Sequence, residues 1–249
     1  MLVSDFPPPK VRPLARRYVV NDGYFDPGPR GRLTPDQAYW LGYLLADGCV
    51  AFRKRDGVVR QFVLQAASKD KEHLLKLRQA LSADYPLYGP HAGCWQLAIP
   101  SYRLCLALER YGVVPNKSFT ATPPALTEDV ANHWIRGVID GDGHFGRQRR
   151  RSRAVVKNGK GRPGRPDRWI LVLAVSGSWS VTEWFLNRFG GSHCRHSNIW
   201  RWSINDSRAA AAIEDAYRGS SEAMRLDRKF DLAVSLGLAD GGSRAAWEF

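Results

Sequence analysis

The side chains of this 249-residue chain best placed to do chemistry are two carboxylates far apart in sequence, Asp47 and Asp142. Each closes an apolar run: Asp36–Gly48 reads DQAYWLGYLLADG, and Asn132–Gly143 reads NHWIRGVIDGDG. Small residues recur at i and i+4, Gly42 and Ala46 in the first run, Gly137 and Gly141 in the second. A face that small lets two helix backbones approach closely. The glycine after each acid, Gly48 or Gly143, reads as a helix stop, because glycine takes the left-handed conformation without penalty. Each run therefore predicts a helix that packs on its twin and carries a carboxylate in its last turn. An anion there opposes the helix dipole at a cost of about 0.3–1 kcal/mol. If the helices lie parallel, the two acids also face each other, and at ~6 Å with an effective dielectric of ~20 they repel by about 3 kcal/mol. A chain that accepts this twice calls for a cation, and Mg²⁺ above all suits paired oxygen ligands.

Asp140 reads differently. It lies two residues before Asp142 on another side of the helix, and its counterpart in the first run is Leu45, so it is expected to be structural. Two other patterns are decoys. Gly141-x-Gly143-x-x-Gly146 has the dinucleotide-binding spacing but ends a helix and opens a strand, where that motif needs the reverse. His193-Cys194-x-His196 lies on one short strand with no evident fourth ligand for zinc.

The elements that must position the acids repeat along the chain. Thr34-Pro35-Asp36-Gln37 predicts a capping box opening the first helix. Strands follow at Cys49–Arg55 and Val59–Ala66 around an Asp56-Gly57 hairpin turn, with Val59, Gln61, Val63 and Gln65 on one face. A helix from Ser68 to Ser82, strands near Leu87-Tyr88 and over Cys94–Ile99, and a helix from Ser101 to Tyr111 complete the first half. The second half runs in the same order: strands Gly143–Arg151 and Trp169–Ser176, helix Ser178–Phe189, strands His193–His196 and Ile199–Ile204 around Ser197-Asn198, helix Asp206–Tyr217. Lys117 and Lys229 stand at equivalent places after the last helix of each half. From Ser68 to Lys117 is 49 residues and from Ser178 to Lys229 is 51, whereas Asp47 to Ser68 is 21 and Asp142 to Ser178 is 36. The halves thus match apart from an insertion of about fifteen residues between the first two strands of the second. This loop, 147–168, is the most basic part of the chain, and its glycines and prolines predict irregular structure.

Composition narrows the class. A hydrophobic content of 44% with 11% aromatics excludes a disordered chain. A net charge of +13 and a pI near 9.9 point to a polyanionic partner, nucleic acid first. Residues 1–33 form a Pro-rich basic arm with Arg12, Arg16, Arg17, Arg30 and Arg32. The four cysteines (Cys49, Cys94, Cys105, Cys194) lack C-x-x-C spacing and read as buried thiols of a reducing compartment. No apolar run suits a membrane span, and the start, MLVSDFPPPKVRP, has no secretory core. An intracellular place, cytoplasm or nucleoid, without membrane contact is expected.

The two runs resemble the LAGLIDADG motif of homing endonucleases. Trp40-Leu41-Gly42-Tyr43-Leu44-Leu45-Ala46-Asp47-Gly48 follows it with Leu45 at the first acid, and Ile135-Arg136-Gly137-Val138-Ile139-Asp140-Gly141-Asp142-Gly143 follows it with both acids. The resemblance covers about residues 34–236. It implies an α+β fold of two pseudo-symmetric αββαββα repeats, 34–122 and 123–249, each laying a saddle-shaped antiparallel sheet on DNA. It also implies a monomer that makes metal-dependent double-strand breaks with short 3′ overhangs at a long target site. Asp47 and Asp142, with Ala46 and Gly141 beside them, would hold Mg²⁺, for which Mn²⁺ or Ca²⁺ could substitute in binding, and Lys117 and Lys229 would approach the scissile phosphate. Arg53, Arg55, Arg60, Gln61, Gln65, Arg147, Gln148, Arg149, Arg151, Arg201 and Trp202 are of types that read base edges or hold phosphates; strand register decides which of them face DNA. An intron RNA maturase and a non-cleaving DNA-binding regulator share the scaffold and are the alternatives. The chain ends without the His-Asn pair that intein splicing needs, so a free-standing enzyme is expected over an intein domain.

Overall fold

Thr34 starts the first motif helix with the chemistry its side chain allows. Its Oγ1 accepts the Gln37 N–H at 3.2 Å, and Gln37 Oε1 accepts the Thr34 N–H at 2.8 Å. With Pro35 at the first helical position, α1 runs Pro35–Asp47 and passes straight into β1, Gly48–Arg55. The computed structural model describes residues 1–8, 18–26, 32–150 and 167–239, together with the backbone of 155–157 and 160–162. Arg12, Arg16, Arg17, Arg30 and Arg151 lie outside the described residues, as does 240–249.

The first repeat continues with β2 (Val58–Ser68), α2 (Lys71–Ala80), β3 (Leu87–His91), β4 (Cys94–Pro100) and α3 (Tyr102–Glu109). The second consists of α4 (Glu128–Asp142), β5 (Gly143–Arg150), the short strands β6 (Val155–Lys157) and β7 (Lys160–Arg162), β8 (Arg168–Gly177), α5 (Trp179–Phe189), β9 (Ser192–His196), β10 (Ile199–Asn205), α6 (Asp206–Tyr217) and α7 (Asp227–Ser235). The two four-stranded antiparallel sheets have the same order, β1-β2-β4-β3 and β5-β8-β10-β9. The duplication read from spacing is therefore a duplication of topology. Among the described residues no helix is long and apolar enough to cross a membrane.

One hydrophobic core joins the halves. Tyr39, Trp40, Leu41, Tyr43 and Leu44 of α1 and Trp134, Ile135 and Ile139 of α4 are buried at its centre, beneath the inner faces of both sheets. Each sheet turns its other face away from the helices.

The structure corrects several expectations. Gly48 and Gly143 are extended (φ −85° and −80°), not left-handed. They are glycines because a Cβ would lie 2.6 Å from the Leu44 carbonyl oxygen in one case and 2.5 Å from that of Ile139 in the other. The inserted basic loop is not wholly irregular, since β6 and β7 pair as a hairpin. In keeping with an arm that lies along the protein, the described parts of 1–33 pack on the first repeat: Val3 and Phe25 are fully buried, the Phe6 ring packs on Phe52 and Phe62, and the Asn21 N–H donates to Leu81 O at 2.8 Å. Of the four free cysteines only Cys105 is buried, and Cys194 is exposed. A bulge in the β1–β2 ladder at Arg53/Lys54 interrupts the alternation along β2, so Val59 packs against the core while Gln61 does not.

Candidate active site

The small faces of α1 and α4 meet backbone to backbone. A Cβ on Gly42 would stand 2.3 Å from the Trp134 carbonyl oxygen, one on Gly137 2.1 Å from that of Tyr39, and one on Gly141 2.3 Å from the Ala46 Cβ. The contacts run from Tyr39 and Gly42 against Gly137 and Trp134 in the middle of the helices to Ala46 against Gly141 at their C-terminal ends, so the helices are parallel. Their last turns end side by side, with Asp47 Cγ 3.5 Å from the Cβ position of Gly141. Asp47 and Asp142, from opposite halves of the chain, are brought to one place at the mouth of the two sheets, and both side chains are open to solvent.

The electrostatics there are unfavourable in the protein alone. Asp47 is pushed up to about 6, first because surrounding protein displaces water from its carboxylate and second because Asp142 stands beside it. Asp142 is raised too, by the same desolvation, against the pull of Lys117 and Lys229. Both lysines are buried. Lys117 Nζ donates to Ala46 O at 2.6 Å. Lys229 Nζ reaches the carbonyl oxygens of Ile139 (2.5 Å), Asp140 (2.8 Å) and Gly143 (2.7 Å), with Gly141 O at 3.5 Å. Each ammonium thus closes the C-terminus of its own motif helix, where carbonyls lack partners. Burial lowers both lysines, Lys229 to about 8, while the surrounding acids oppose the shift.

Asp140 stands apart from the open acids, as its spacing suggested. It is buried and accepts from Tyr39 Oη (2.8 Å), Tyr217 Oη (2.5 Å) and the Leu226 N–H (2.8 Å). It ties α4 to α1, to α6 and to the segment leading to Lys229.

The donor set at the mouth is oxygen throughout: two carboxylates with the carbonyls of Gly141 and Ala46 next to them, the latter already accepting from Lys117 Nζ. That fits a hard divalent ion whose remaining ligands are water and phosphate oxygens. Among the described residues no three His, Cys, Asp or Glu side chains draw together. His193 binds Thr182 Oγ1 on the helix side of its sheet (2.9 Å), whereas Cys194 and His196 alternate with it on that strand, so the zinc decoy does not converge. A pocket of about 150 Å³ adjoins the site, bounded by Ala46, Lys117 and Asp142 and, from the second repeat, Ser176, Ser178 and Ile199.

Register sorts the sheet candidates. In the first repeat Arg53 pairs with Gln61 and Cys49 with Gln65, across from the core residues Val50, Phe62 and Leu64, so Arg53, Arg55, Gln61 and Gln65 share the open face. Arg60 is exposed beside the bulge. In the second repeat Gln148 pairs with Ile170 on the open face, where Ile170, Val172 and Ala174 form a small apolar strip apart from the core. Arg201 shares this face through its pairing with Ser176. Arg147 and Arg149 alternate onto the other side with the core residue Phe145, and Arg149 pairs with Asp167 at 3.0 Å. Trp202 is fully buried and donates to Gly190 O, so it belongs to the core and not to a reading surface. Sequence reasoning overlooked His144, whose Nε2 is 3.2 Å from Gln148 Nε2 on the open face, and Gln96, which pairs with Ala67. Counting alternation outward from the motif glycines would have found His144.

No family model matches the sequence, and no curated protein does. Solved structures do. The LAGLIDADG meganuclease I-AabMI, bound to uncleaved DNA, is 12% identical, with 73% of this chain and 83% of that one covered at a TM-score of 0.52. The I-SmaMI LAGLIDADG homing endonuclease bound to cleaved DNA is 14% identical, with 74% and 80% covered at a TM-score of 0.49. At such identity the likeness to I-AabMI shows the fold: this chain has the fold of a LAGLIDADG meganuclease.

Proposed function

We propose that this chain is a site-specific DNA endonuclease that cuts both strands of its target as a monomer, leaving short 3′ overhangs. The observation that carries the reading is the pair of open, mutually repelling carboxylates at the shared end of two parallel helices, between two sheets whose outer faces carry Arg and Gln. The net charge of +13 supports a polyanionic partner, and the fold is that of a meganuclease held on uncleaved DNA.

Asp47 and Asp142 would hold Mg²⁺ with help from the carbonyls of Ala46 and Gly141. When bound, a divalent ion supplies an activated water and a polarised phosphate. The chain's own residues do the rest. The two carboxylates orient that chemistry symmetrically toward the two strands. Lys117 and Lys229, preset by their carbonyl partners, keep positive charge beside the reacting phosphates without reorganisation. Arg53, Arg55, Arg60, Gln61 and Gln65 in one half-site, and Gln148 and Arg201 in the other, read base edges, Arg suiting guanine and Gln adenine. The basic insertion, 147–168, supplies positive charge toward flanking phosphates.

The test is cleavage selection on a randomised DNA library with Mg²⁺, followed by sequencing of the cut ends. Asp47→Asn and Asp142→Asn should bind the selected site and fail to cut it. Full cleavage by the double variant would refute the mechanism.

A further inference from the structure

The two lysines are each anchored from the opposite repeat. Lys229 lies on α7 of the second repeat, two residues after Asp227. Lys76, on α2 of the first repeat, donates to both oxygens of the Asp227 carboxylate (2.7 and 2.8 Å) and to Arg225 O (3.3 Å). One residue on, Arg228 Nε reaches both oxygens of Asp70, which precedes α2 (3.1 and 2.9 Å). The first repeat thus grips the backbone and side chains on both sides of Leu226, where α7 begins. The Lys76 side chain is 15% exposed and the Asp227 side chain 49%, so the ammonium is sheltered while the carboxylate stands at the surface, and the anchor acts by bidentate geometry more than by ion-pair strength.

The reciprocal arrangement holds Lys117. Its carbonyl accepts from the N–H groups of Thr120 (3.0 Å) and Ala121 (2.7 Å), which closes the turn that carries it. Ala121 O in turn accepts from Ser178 Oγ of the second repeat at 2.5 Å. Ser178 is fixed by its own task as the cap of α5, accepting the Val181 N–H at 3.2 Å. Each ammonium therefore closes the motif helix of its own repeat while the segment beneath it is fastened by the other.

We propose that Lys76, through Asp227, is a positioning residue for Lys229, and that Ser178, through Ala121, is a positioning residue for Lys117, so that each half of the site is held in register by the other repeat as well as by its own. The functional part of this proposal rests on the nuclease reading above; the anchoring part does not. Loosening one anchor displaces one ammonium and leaves the second in place. The expected outcome is slowed cutting of one strand, since small misplacements of a reacting group are enough to cost tenfold or more.

The experiment uses the full chain and Lys76→Gln, with Asp227→Asn as a second variant should the first melt early. Amine acetylation followed by mass spectrometry reports the anchoring without any activity. Lys229 should acetylate about tenfold faster in the variant, with Lys117 as protected as before. On a supercoiled plasmid bearing the selected site, the variant should accumulate nicked circles, and the strand left whole should be the one that Lys229→Ala leaves whole. DNA affinity should not change. Exchanging the pair, Lys76→Asp with Asp227→Lys, should restore both protection and linear product. Unchanged acetylation of Lys229, equal slowing of both strands, or an exchange that rescues nothing would each overturn the proposal. A wild-type chain that cuts no DNA would sink the nuclease reading alone, and acetylation would still decide the anchoring.

Discussion

The Tyr39 carbonyl oxygen lies 2.1 Å from where a Cβ on Gly137 would stand. The motif helices are in contact through their backbones there, and no side-chain rearrangement can make room. Gly137→Ala, and likewise Gly42→Ala against the Trp134 carbonyl, should destabilise the chain by about 3 kcal/mol or more, the upper end of overpacking costs. Urea unfolding checks this. Either alanine variant retaining wild-type stability would show that the helix contact is not as tight as described.

Removing one acid should stabilise the protein without metal. Asp47 is raised to about 6 by desolvation and by Asp142, so at pH 7 its charge is held against both. Asp47→Asn should raise the Tm of the metal-free chain by about 2–4 °C, the shift that 1 kcal/mol produces at this size. Added Mg²⁺ should then stabilise the wild type more than the variant, while cleavage by the variant falls by at least about 10²-fold. Thermal melts with and without Mg²⁺ at neutral pH give the ranking, and an unchanged ranking counts against metal binding between these acids.

Asp140 should support stability where the open acids oppose it. Asp140→Asn removes a buried charge held by two hydroxyls and an N–H near Lys229, and should cost about 3–5 kcal/mol. Asp140→Leu copies the residue at the matching place in the first repeat, yet should be no milder, because it leaves Tyr217 Oη and the Leu226 N–H without their acceptor. Chemical denaturation distinguishes this from a surface acid, whose loss would register within about 0.5 kcal/mol.

His73 should make the first repeat sensitive to acid. It is buried among Tyr39, Trp40 and Tyr43, and desolvation, reinforced by Lys76, lowers it from 6.5 to about 4. The unfolded chain then takes up this proton first. Its contribution is fully present above about 6.5 and is lost as pH falls toward 4, up to about 3 kcal/mol. His73→Phe should flatten the dependence of unfolding free energy on pH between 7 and 4, and parallel curves for wild type and variant would rule this out.

Much of the architecture was legible because it depends on local chemistry. The Thr34–Gln37 box, the Asp56-Gly57 turn (φ +53° and +74°) and the Ser101 and Ser178 caps all fall where the residue types demand. The repeat followed from spacing, and the meeting of Asp47 with Asp142 followed from the repeat. What escaped reading depends on distant partners. Alternation along β2 could not reveal that a bulge returns Val59 to the core. Nor could a lysine 89 residues beyond Asp140 announce that its ammonium is buried against that residue's carbonyl. The anchors of α7, Lys76 and Asp70, sit in the other repeat and leave no trace in nearby sequence. Glycine at the helix ends was correctly singled out but for a different physical reason, a clash with the carbonyl four residues back in place of a left-handed turn.

Those extended glycines have a mechanical corollary. Asp47 is the last residue of α1 and Gly48 the first of β1, and Asp142 and Gly143 stand in the same relation between α4 and β5. With no spacer at either junction, each carboxylate is joined directly to the first residue of its sheet. A duplex that flexes either sheet would shift an acid in proportion, with no slack to absorb the motion. On the nuclease reading proposed above, target sequences of unlike stiffness would then be told apart by how far they draw the two acids together.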